Sequence, residues 1–202
     1  MSPDIPTTAD EEPEGVRPWP LFVVVASSAV IGASLALIWL ATRAVMSLGA
    51  VVTGGGSIEL TSGPPPTWIA ALPVAIIALV VAMQTSKGLS DRYDTPSMMV
   101  LSWSALFLTL SWNFIDFGLR GGGGAPMLGL LIPGIAFVVM GLGGLYVFFV
   151  ARKTWMEMDA KKAAETGMPA IRAGYRAYQV ATAVSLVAGA AAGWWLFMLF
   201  AG

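Results

Sequence analysis

Hydrophobic side chains along this chain fall into long unbroken runs, and the short segments between them hold nearly all of the charge. The runs lie at 21–41, 68–86, 98–118, 127–151 and 179–201. Each is close to the roughly 20 residues that an α-helix needs to cross about 30 Å of hydrocarbon, at about 1.5 Å per residue. None alternates with the period of two expected of a membrane β-strand, so a barrel is rejected. Hydrocarbon offers no water to an open backbone edge, which leaves helices as the spanning structure. The expected fold is an all-α integral membrane protein with five transmembrane helices in a single domain over 21–202. The first run keeps its pattern past Arg43 to Val52, which implies a tilted helix or one that emerges from the bilayer. Pro73 and Pro133 fall inside the second and fourth runs, where a missing N–H predicts kinks.

Residues 1–20 are rich in Pro and acidic, with Asp4, Asp10, Glu11, Glu12 and Glu14, and are expected to be a disordered cytoplasmic tail. They lack the basic start and the small-residue cleavage site of a secretory signal. Orientation follows from the basic residues between the runs. Alternate connections hold Arg17, then Lys87 and Arg92, then Arg152, Lys153, Lys161, Lys162, Arg172 and Arg176 on one side, against Arg43 and Arg120 on the other. Nine of the 11 Lys and Arg thus share a side, and the positive-inside rule makes that side cytoplasmic. The N-terminus is expected inside, the C-terminus extracytoplasmic, and the GGGSIELTSGPPP loop outside. Between the fourth and fifth runs Lys153, Glu157, Lys161 and Glu165 recur every four residues with alternating sign, a ladder of i,i+4 pairs. The fourth helix should therefore continue into the cytoplasm to about Glu165, with Gly167-Met168-Pro169 ending it.

Composition narrows the chemistry. The 202 residues are 56% hydrophobic and 11% charged, where a soluble domain carries about 25% charge. With 11 basic and 12 acidic residues there is no positive excess for nucleic acid. The absence of Cys excludes disulfides, thiolate nucleophiles, iron–sulfur clusters and Cys zinc sites. The absence of His excludes histidine-ligated haem or copper, a Ser-His-Asp triad and an imidazole relay. Asp91 and Asp94 in SDRYDTPS come nearest to an acidic pair, and read as a capped helix turn rather than a Mg²⁺ site. No cofactor, metal or enzymatic activity is expected.

Arg43 and Asp116 are the ionisable residues in or beside the runs. An intramembrane charge is a functional-site candidate by default. In the topology above both fall near the outer interface at similar height, where Asp116 can pair with Arg43 or with Arg120 at i+4. Ser102, Thr109, Asn113 and Asp116 form one polar stripe on the third helix, readable as a transport path or as helix–helix hydrogen bonding. Small residues repeat every four positions at Ala181, Ser185, Gly189 and Gly193, and at Ser28, Gly32 and Ala36. Such seams allow close backbone approach, within the chain or with another subunit. Arg152, Lys153, Arg172 and Arg176 read as a solvated helical hairpin, or as a docking site for a partner or lipid headgroups. The glycines at 121–124 lack a following Lys-Ser/Thr and read as a flexible turn rather than a phosphate loop. Most of the tryptophans suit an aromatic belt or bulky packing at the lipid boundary.

These features point to a non-catalytic polytopic protein: an accessory or scaffold subunit that packs against a larger membrane complex. The alternative is a small oligomeric channel or transporter component using the stripe of the third helix. The expected partners are the lipid bilayer and other membrane subunits, and the expected location is the plasma (inner) membrane of a prokaryote.

Overall fold

A computed structural model describes residues 18–47, 67–93, 97–120, 126–166 and 175–201, with backbone alone at 47, 67–68, 91–93, 151–166, 175–176 and 201. The regular elements among these residues are all helical: α1 (Pro18–Ser47), a 3-10 turn (Thr67–Ala70) leading into α2 (Ala71–Tyr93), α3 (Met99–Arg120), α4 (Leu128–Thr166) and α5 (Tyr175–Ala201). All five α-helices are long and apolar enough to cross a membrane, so the chain has the character of a multi-pass membrane protein.

The helix boundaries follow local chemistry. α1 begins at Pro18, with Pro20 two residues on; both fall in the first turn, where the missing N–H has no helical partner to lose. The same logic corrects the kink expected at Pro73. That proline is the third residue of α2, again in the first turn, because the chain enters the helix from the 3-10 turn only at Ala71. Pro133 lies five residues past the first residue of α4, inside the hydrogen-bonded part of the helix. α2 continues through Asp91 and Arg92 to Tyr93 instead of ending near Ser86, so the first half of SDRYDTPS is helix. The Ser86 hydroxyl accepts the Met98 N–H at 3.0 Å, so a neighbouring helix satisfies an orphan donor where α3 starts. Between α3 and α4, Met127 N–H donates to the Gly118 carbonyl at 2.8 Å. α4 runs unbroken to Thr166, through the i,i+4 ladder.

α1 is the hub. It packs most extensively on α5, then on α2, and it also meets α3, whereas α4 packs on α3 alone among the described elements. One end of the bundle gathers Val24 of α1, Leu89 of α2 and Tyr178 of α5. The other gathers Leu40 and Ala41 of α1, Phe197 of α5 and Leu72 of α2. α1 and α5 therefore run parallel, and α2 runs against both. The centre is Ile31, Ile38, Ala75, Leu79, Ala82, Met83 and Met98.

Two interfaces are close enough to exclude side chains. A Cβ on Gly189 would lie 2.8 Å from the Ala29 Cα, and one on Gly193 would lie 2.5 Å from the Ala33 carbonyl oxygen. Gly32 faces Leu186 and Ala190. α3 and α4 meet antiparallel in the same manner, with Gly118 against Leu131, Gly134 against Phe114 and Ile115, Gly141 against Leu108, and Gly144 against Ser104. In lipid, where apolar burial between helices gains nothing over contact with acyl chains, close approach of this kind is what holds spans together. Aromatic rings fill the space beside the α3–α4 seam: Phe137 lies 5.9 Å from Phe107 and 5.6 Å from Phe114, and Trp103 continues the stack from Phe107 at 6.0 Å.

Candidate functional site

An ion-paired cluster lies where α1 and α3 approach their C-terminal ends. Asp116 stands four residues before the end of α3, close to the negative pole of its macrodipole, a poor place for a carboxylate. Two cations offset this. Arg43 Nη2 lies 3.0 Å from Asp116 Oδ2, and Arg120 Nε lies 2.8 Å from Oδ1. Both pairings that the spacing allows are thus made at once, one across helices and one along α3. The carboxylate is the most enclosed member: its side chain is 12% exposed, against 38% for Arg43 and 79% for Arg120. The Arg43 guanidinium also sits 5.5 Å from the centre of the Phe117 ring.

One turn further in, Asn113 is fully buried, and its Nδ2 donates to the Trp39 carbonyl at 3.0 Å. That bond fixes which side of the amide carries nitrogen and ties α3 to α1 beneath the ion pair. The Asn113 Oδ1 has no partner. Thr109 behaves differently. Its hydroxyl donates back to its own helix, shared between the Ala105 and Leu106 carbonyls, and makes no bond to another helix. Ser102 is buried near the start of α3, with an unpartnered Oγ. The stripe therefore resolves into a linked pair, Asp116 and Asn113, a self-satisfied Thr109 and an isolated Ser102.

A second polar face of α3 has no counterpart among the residues singled out in the sequence. Ser104 and Ser111 are both buried, and Ser104 bonds the Val100 carbonyl at 2.9 Å while facing Gly144 of α4. The signal was the seven-residue interval of Ser104, Ser111 and Gly118, matched by Gly134 and Gly141 on the partner helix.

The two seams lie against each other. Ser28, Gly32, Ser185, Gly189 and Gly193 are buried, and Ala36 and Ala181 half-buried, with α1 and α5 as mutual partners. Ala29 and Ala33 are the α1 residues that receive Gly189 and Gly193, one position off the expected set. Trp39 and Trp194 pair at 5.9 Å above this seam, at the Arg43 end. Arg152 and Lys153 lie on the α4 backbone beyond its membrane-length stretch, and Arg176 is the second residue of α5. Arg172, Asp94 and the glycines at 121–124 lie outside the described residues. Among the described residues no three carboxylates converge as a metal site would require. Comparisons with protein-family models, with curated proteins and with solved structures find nothing that matches this chain.

Proposed function

We propose that the chain is a non-catalytic membrane subunit, an accessory or scaffold protein that packs against other membrane subunits in the inner membrane of a prokaryote. The supporting observation is the one-sided packing of α4. Its inner face is committed to α3, while Leu128, Ile132, Ile135, Val139, Leu142 and Tyr146 are exposed. Gly129 and Gly143 on that open side have nothing within 4 Å, and Ala136, midway between them, is exposed as well. A helix from another subunit could approach this surface as closely as α3 approaches the other. The polar residues fit a structural role. Asp116 gives both oxygens to arginines, Asn113 its amide to Trp39, and Thr109 its hydroxyl to its own helix.

A second reading, a small oligomeric channel or transporter component, draws on the unpartnered Asn113 Oδ1 and Ser102 Oγ. These are 11 positions apart on α3, about 16 Å along a helix. The two readings part on the mass and subunit identities of the native particle extracted in mild detergent. Co-purification of larger, different membrane subunits is the expected result. A homo-oligomer alone would turn the proposal towards the channel. In either case the distribution of Lys and Arg supports an N-terminus in the cytoplasm and the Arg43 end of the bundle outside.

A further inference from the structure

The site at the Arg43 end carries more donors and more positive charge than its carboxylate can absorb. Two guanidinium groups bring roughly ten N–H donors, and one carboxylate offers about four lone-pair positions. Asp116 occupies one oxygen against each arginine and lies beneath them, so the surplus donors and one net positive charge are on the exposed side. The Arg43 guanidinium sits 5.5 Å from the centre of the Phe117 ring and gives Nη2 to Asp116, yet its side chain stays 38% exposed.

The surroundings point to the kind of anion. Trp39 and Trp194 pair about 6 Å below Arg43, at the level aromatic residues take beneath lipid headgroups. On α3, Trp112 and Leu119 are seven residues apart and both exposed, giving an apolar track that ends beside Arg120. A free anion would use the arginines and leave this track idle. A phospholipid uses both, with its phosphate on the guanidinium edges and an acyl chain along Trp112 and Leu119. The single surplus charge matches a headgroup with one negative charge and no ammonium to cancel it.

We propose that Arg43 and Arg120, held over Asp116, bind the phosphate of an anionic phospholipid such as phosphatidylglycerol. The site is independent of which subunits the chain packs against. It is also distinct from the basic segment around Arg152 and Lys153, which belongs to the opposite end of α4.

The test is native mass spectrometry of the full chain in detergent, titrated separately with phosphatidylglycerol, phosphatidylethanolamine and inorganic phosphate. The wild type is expected to bind one phosphatidylglycerol in preference to phosphatidylethanolamine. Arg120→Gln should weaken that binding about fivefold, the scale of one exposed charge contact, without moving the melting temperature. Arg120→Lys, which keeps the charge and loses the fork, should fall between. The proposal is overturned if Arg120→Gln leaves the lipid preference intact, whether or not stability changes. Displacement of the lipid by millimolar inorganic phosphate would overturn it too, as a site for soluble anions. So would a preference that disappears in Arg152→Gln/Lys153→Gln and survives in Arg120→Gln.

Discussion

At the scale of single residues, glycine positions separate closed contacts from open ones. Gly189 has the Ala29 backbone where a side chain would go, and backbone cannot swing aside. Gly189→Val is expected to lower thermal stability in detergent by about 1–3 kcal/mol or more, the cost of overpacking. Gly143, with nothing nearby, is the control: Gly143→Ala should be neutral or gain up to about 1 kcal/mol from helix propensity. The same melting measurement bears on Asp116. Asp116→Asn removes the charge that both arginines share and is expected to cost about 1 kcal/mol, since Arg43 and Arg120 can still reach water. A variant of unchanged stability that selectively lost ion flux would favour the channel reading. Asn113→Leu should cost little, about 0.6 kcal/mol, because losing the bond to Trp39 is offset by removing an unpartnered Oδ1. The Arg43–Asp116 pairing was legible because alternating spans put both residues at one height. Thr109 was not separable from its stripe, because spacing reports which way a hydroxyl faces and not whether its own helix has already claimed it.

Among helices, α4 offers the clearest contrast. Its two sides are both apolar and both carry glycine, yet one is packed and the other open. Gly141→Leu, directed at Leu108 and Ser104, is expected to lower the melting temperature of the isolated chain. Ala136→Leu on the open side should leave it unchanged and reduce recovery of co-purified subunits instead, measured by quantifying those subunits after extraction. If Ala136→Leu leaves the recovery of those subunits unchanged, the open side of α4 is merely lipid-facing and the accessory reading loses its support. The presence and order of the five helices were readable from hydropathy and the extension of α4 from its charge ladder, whereas the continuation of α2 to Tyr93 was not. Which seam meets which was not. A repeat of four identifies a face, but a face holds no record of its partner, so Gly32 opposite Leu186 and Ala190 could only be found in three dimensions. Pro73 misled for a related reason: its effect depends on its distance from a helix start, and the 3-10 turn moved that start to Ala71.

For the molecule as a whole, the order of helices around α1 matters more than their number. A chain without native cysteine lends itself to single-cysteine reporters of orientation. Ser62→Cys is expected to react with a membrane-impermeant maleimide on intact cells, and Ala163→Cys only after lysis. The reverse pattern would invert the bundle and put the Arg43–Asp116–Arg120 site in the cytoplasmic leaflet. Alternation of the spans was legible from the sequence, whereas the central place of α1 was not, since its Ser, Gly and Ala positions are no more frequent than those of α5. That central place has a consequence for biogenesis. α1 leaves the ribosome well before its most extensive partner, α5, and Ala29 meets Gly189 across about 160 residues of chain. At about 5–20 residues per second, the groove around Gly32 stays open in the membrane for roughly 8–30 s. During that interval any small-residue helix of another nascent subunit competes for it, so the timing of synthesis, as much as the affinity of α5, guards against mispairing.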